Sequence, residues 1–206
     1  ASTLLLHPQE SAQALWQTRT DRFDEDLTQP YTGQDWNSLT PEGEGKVREI
    51  EKQFFACINS LLGAQRSFHL GDECIMREHG SVTDSERGPV LQVEQMSYRL
   101  IVIPSMETMA PSTFDLLKQF HKKGGDILIY GEPPRKLDGE PSEELSSFVD
   151  SLPSATMVDF ADQVESLAPA IVRFEKVHHG DHSLLWIHPR QIEDGSWLLL
   201  PSLIHI

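Results

Sequence analysis

Five side chains stand where an open α/β sheet does its chemistry. His7, Asp72, Glu73, Glu107 and Glu132 each lie at or just beyond the end of an apolar run that reads as a strand, and in such sheets ligands bind outside the carboxyl ends of the strands. Two carboxylates brought together there could serve as acid and base on a sugar. The same residues could equally cap the helices that follow, because strand-end loops are polar whether or not they bind anything. A second cluster, His178-His179-Gly180-Asp181-His182, resembles a set of metal ligands, since His and Asp can assemble a tetrahedral zinc site. Three adjacent ligands on a tight turn rarely converge on one ion, so the plainer reading is an exposed turn with no metal. The acidic run from Asp21 to Asp26 lacks the glycine and spacing of a calcium loop and reads as a solvated face. Trp16, Trp36, Trp186 and Trp197 could stack on sugar rings, although Trp186 and Trp197 alternate with apolar neighbours on strands and read as core or interdomain residues.

Other chemistries lack their residues. A sheet of this type presents a nucleophile on a sharp strand-to-helix turn, as Ser or Cys flanked by glycines; the chain has Gly131-Glu132-Pro133 at such a turn. The two cysteines, Cys57 and Cys74, follow no central strand and have neither metal-site spacing nor the density of a disulfide framework. Cys57 falls in an apolar helical stretch and reads as a small core residue. No glycine-rich phosphate loop follows a strand, so nucleotide binding has no support and no cofactor is expected.

The elements that must position these groups are marked by hydrophobic period. Leu4-Leu5-Leu6, closed by His7-Pro8, reads as a buried strand. Residues 9–30 read as loop or weak helix. Thr40-Pro41 opens a helix whose apolar positions Val47, Ile50, Phe54, Cys57-Ile58 and Leu61-Leu62 recur at helical spacing up to Gly63. A strand over 66–72, a helical turn over 74–87 and an edge strand over 90–93 follow. The run Tyr98 to Pro104 is apolar and β-branched throughout, as a central parallel strand covered on both faces should be. Pro111-Ser112-Thr113 opens a helix that Gly124-Gly125 ends, and 126–131 is another buried strand. Beyond it the pattern gives a helix over 140–152, a strand over 156–160 and a helical turn over 162–168. Short strands at 171–177, 184–188 and 197–200 close the chain, with Glu193-Asp194-Gly195-Ser196 as a hairpin turn. Strands alternating with helices predict an α/β fold with a doubly wound, mostly parallel sheet over 1–170, and a β-rich tail over 171–206.

The chain has 206 residues, enough for one domain with an appendage. Its 17 basic and 32 acidic residues leave a formal charge of −15, which repels nucleic acid and anionic membrane surfaces alike. The chain opens on Ala1-Ser2-Thr3 and closes on an apolar run, so a fragment of a longer protein is expected. Compartment is left open, extracytoplasmic or cytoplasmic.

The order of these elements resembles the flavodoxin-like, class I glutamine amidotransferase-like domain carried inside large glycoside hydrolases. It is most similar to that of the α-L-rhamnosidase type, glycoside hydrolase family 106, and is related to the trimerisation domain of some β-galactosidases. The segments that carry the resemblance are Leu5-Leu6-His7-Pro8 with Trp16, Phe68 to Glu73, Tyr98 to Pro104, Leu116 to Gly125, the strand ending Tyr130-Gly131-Glu132-Pro133-Pro134, and the tail from Ile187 to Gly195. The resemblance implies a three-layer sandwich that has lost its nucleophile. It implies an accessory domain that packs on the catalytic barrel or holds subunits together. The implied partners are the barrel and β-rich domains of the parent chain, or a second copy. The alternative is a carbohydrate-binding module that uses the strand-end carboxylates and an exposed Trp.

Overall fold

Thr3–Leu6 is buried at all four positions and forms strand β1. A computed structural model of the protein describes residues 2–15, 41–156, 158–169, 185–191 and 197–203. After β1 come helix α1 (Gln9–Ala14), helix α2 (Pro41–Gly63), strand β2 (Phe68–Gly71) and helix α3 (Glu73–His79). Three strands follow, β3 (Gly80–Ser85), β4 (Gly88–Val93) and β5 (Met96–Tyr98), then β6 (Leu100–Ile103), β7 (Thr108–Met109) and α4 (Pro111–Lys122). The chain continues through β8 (Asp126–Tyr130), β9 (Lys136–Leu137), β10 (Glu140–Pro141), α5 (Glu143–Asp150), β11 (Ser154–Ala155) and α6 (Phe160–Leu167). Strands β12 (Leu185–Gln191) and β13 (Trp197–Leu203) pair antiparallel, and the turn expected at Glu193-Asp194-Gly195-Ser196 lies outside the described residues.

Five strands make one parallel sheet in the order β11-β8-β6-β1-β2, an arrangement compatible with a flavodoxin-like fold. Strand side chains alternate between faces, and the burial follows. Leu4, Leu6, Ile101, Ile103, Ile127 and Ile129 join a core with α4 and α5, through Phe114, Leu117, Phe120, Leu145 and Val149. Leu5, Leu100, Val102, Leu128 and Tyr130 join a second core with α2 and α6, through Phe54, Cys57, Leu61, Phe160 and Val164. A sheet apolar on both faces needs helices on both, and α4 shows how the sequence supplies one. Pro111 sits at its start without a side-chain cap, and it buries Phe114, Leu117 and Phe120. It ends where Gly124 takes a φ of +89°, a conformation that costs glycine nothing.

Several elements depart from the order the sequence predicts. The stretch expected to be a helical turn over 74–87 divides into α3 and then β3. The segment expected to be an edge strand, 90–93, belongs to β4, the middle strand of a separate antiparallel sheet β3-β4-β5. Val82, Leu91 and Val93 turn this sheet onto the α4 side of the core, and Val90 on the opposite face is buried as well, so the alternation there is weak. The strand expected over 156–160 is β11, two residues earlier. Asp159 Oδ1 accepts from the Thr156 N–H at 2.7 Å and ends the extended run. The helix expected over 140–152 begins only at Glu143, because Ser142 caps it by accepting from the Leu145 N–H. Tyr98 belongs to β5 rather than to the central strand β6. The expected strand over 171–177 lies outside the described residues.

Candidate functional site

At the carboxyl ends of β6 and β8 two loops are tied together by backbone bonds. The Met106 N–H donates to the Glu132 carbonyl at 3.2 Å, and the Arg135 N–H donates to the Glu107 carbonyl at 3.2 Å. Ser105 Oγ accepts from the Glu132 N–H at 2.9 Å. Gly131 makes this junction possible with a φ of +85°, and a Cβ there would run into Ser105 Oγ.

The β6 loop is held from the other side by α1. Ser11, fully buried, donates from its hydroxyl to the Thr108 carbonyl at 2.9 Å and accepts the N–H groups of Glu107 and Thr108, each at 3.0 Å. A serine hydroxyl has one proton and two lone pairs, so this one is fully used. The backbone of Glu107 is thereby fixed at both its N–H and its carbonyl. From the start of β9, Lys136 Nζ donates to Glu107 Oε1 at 2.5 Å. Arg135 turns away to Asp150 Oδ1 at 2.7 Å.

These loops form one wall of a cleft of about 500 Å³, and α2 forms the other with Lys46, Glu49, Ile50 and Gln53. Gln53 Nε2 donates to Glu49 Oε1 at 2.8 Å, so α2 presents a preset polar pair. Such a volume lies within the range of small-molecule sites.

Of the five side chains singled out in the sequence, Glu107 and Glu132 line this cleft. The other three do not. Asp72 caps α3, accepting from the Ile75 N–H at 3.0 Å. His7 is half-buried with its ring 5.4 Å from that of Phe54. Glu73 is buried, and its Oε2 accepts from the Ala110 N–H at the head of α4 at 2.8 Å. Burial pushes the Glu73 carboxyl up to about 7, against the pull of the Ala110 N–H and the nearby Thr113 hydroxyl, with Glu10 and Asp138 adding to the rise. His178, His179, Asp181 and His182 lie outside the described residues, as do Trp16, Trp36 and the acidic run 21–26. Among the described residues no group of three or more His, Cys, Asp or Glu could hold a metal ion, and no helix is long and apolar enough to cross a membrane.

Ser11, Lys136 and the α2 wall escaped the sequence reading. Ser105 and Glu107 were visible as a strand end, but nothing local connects Lys136 to Glu107 or Ser11 to Thr108. Both pairings depend on how β1, β6 and β8 are laid side by side.

The thiols separate cleanly. Cys57 is buried, and desolvation pushes it up to about 12; Cys74 is exposed on α3. Since the thiolate is the reactive form, a disulfide reagent at pH 8 should label one thiol in the native protein and two in denaturant. Rapid labelling of both in native buffer would show that the α2 core opens readily.

No protein-family model matches the chain, and comparison with curated proteins and with solved structures likewise finds no match.

Proposed function

We propose that this chain is a non-catalytic accessory domain of a larger glycan-processing hydrolase, flavodoxin-like and related to the glutamine amidotransferase-like domains of the α-L-rhamnosidase type. The observation that supports this most is the turn after β8. The strained position, where a nucleophile elbow would hold its reactive side chain, is occupied by Gly131 at φ +85°. The groups around it are engaged with each other: Ser105 with the Glu132 N–H, Glu107 with Lys136, Arg135 with Asp150. Such a domain would pack on the catalytic barrel of its parent or join copies of it.

The test is turnover of nitrophenyl α-L-rhamnoside and β-D-galactoside by the purified chain, with release expected to stay at the blank rate. Hydrolysis that Glu132→Gln or Asp72→Asn abolishes would overturn the proposal. The flanking reading frame should encode a (β/α)₈ pattern with Glu or Asp at its strand ends.

A second reading, carbohydrate binding, is favoured by the cleft itself, which is roomy and holds two of the four strand-end carboxylates, Glu107 and Glu132. The exposed Trp36 of that reading lies outside the described residues.

A further inference from the structure

Charges of both signs line the cleft, Glu49, Glu107 and Glu132 with Lys46 and Lys136, while the Arg135 guanidinium pairs with Asp150. Ile50, Met106 and Pro133 supply the apolar part of its lining, which suits the C–H faces of a small ring.

Within it the Glu107–Lys136 pair is the best-fixed polar group. Glu107 is held through its backbone by Ser11 and Arg135, and its side chain is 28% exposed beside Lys136 at 36%. An ammonium carries three donors and a carboxylate about four lone pairs, so a single bond between them leaves both with capacity to spare. A carboxylate and an ammonium side by side can take two neighbouring hydroxyls at once, one donating to oxygen and the other accepting from nitrogen.

We propose that the Glu107–Lys136 pair is the recognition element for a vicinal diol of a sugar bound in this cleft. The assignment rests on the carbohydrate-binding reading and names the group within the site that would carry it.

Calorimetric titration of the intact chain with methyl α-L-rhamnopyranoside and methyl β-D-galactopyranoside tests it, because both rings carry a cis-vicinal diol. At least one should bind, at an affinity of about millimolar or better. Lys136→Met and Glu107→Gln should each weaken binding by about tenfold, and the double variant should be little worse than either single one, because the two side chains act as a unit. The deoxy glycoside lacking one hydroxyl of the diol should lose a similar factor on the unmodified protein, a measurement that stands even where a variant folds poorly. Binding that neither variant nor the deoxy ligand changes would overturn the pair while leaving carbohydrate binding in place. Absence of heat with every glycoside would overturn the binding reading and the pair together.

Discussion

Replacing Gly131 by alanine should destabilise the protein by about 2–4 kcal/mol, read as a lower urea midpoint at constant m. Two costs combine. A φ of +85° carries a penalty for any residue with a Cβ, and the added carbon runs into Ser105 Oγ. The two are separable. Ser105→Ala alone leaves the Glu132 N–H without its acceptor, a loss of about 1 kcal/mol. In the Gly131→Ala background the same change removes the clashing oxygen, and Ser105 Cβ is a tolerable 3.5 Å from the new carbon. The double variant should therefore be more stable than the sum of the single effects predicts. Strict additivity would mean that the backbone conformation alone sets the cost.

The second large effect concerns pH. Glu73 is a buried carboxyl raised from 4.5 to about 7, so the folded protein holds this proton more tightly than the unfolded chain does. The stabilisation belongs to the protonated form. It is fully present below about pH 4.5 and is lost as pH rises through about 7. At about 1.4 kcal/mol for each pH unit, the loss approaches 3 kcal/mol. Glu73→Gln keeps an acceptor for the Ala110 N–H and carries no charge. Its stability relative to the unmodified protein should rise by about that amount between pH 4.5 and 8. Surrounding charges favour this direction: Glu10 and Asp138 both raise the Glu73 carboxyl. Glu10 is itself raised, by burial first and then by Asp138 and Asp72, with Arg77 opposing. A difference between the two proteins that stays flat over that range would show that water or movement of α3 relieves the carboxyl.

The parallel sheet was legible because β1, β6 and β8 are covered on both faces, and Leu4-Leu5-Leu6, Leu100 to Ile103 and Ile127 to Tyr130 are therefore apolar at every position. The helices α2 and α4 were equally clear, each with one buried stripe and a proline start. The β3-β4-β5 sheet was not, because β4 buries the adjacent Val90 and Leu91 on opposite faces while β3 is mostly Ser, Thr and Asp, so no clean period of two marks the strands. Of the site, the sequence marked the strand ends but could not sort them. Glu107 and Glu73 look alike as acidic residues after apolar runs. One faces a cleft and the other is buried against the head of α4, a difference set by α1 and α4 packing over residues distant in the chain. Asp72 was legible as a cap, the alternative weighed for all the strand-end carboxylates.

Strand β1 has one further consequence, for synthesis. It lies inside the sheet, with Thr3 opposite Phe68 on one side and Leu100 on the other. On the ribosome its backbone groups have one set of partners only after β2 has emerged, and the second only after β6. Until then Leu4-Leu5-Leu6 is an unpaired apolar segment on a nascent chain, the kind of surface that draws chaperones or neighbouring chains. The same delay applies to the cleft, since Ser11 cannot grip Glu107 and Thr108 before they exist. The residues translated early thus complete the cleft late.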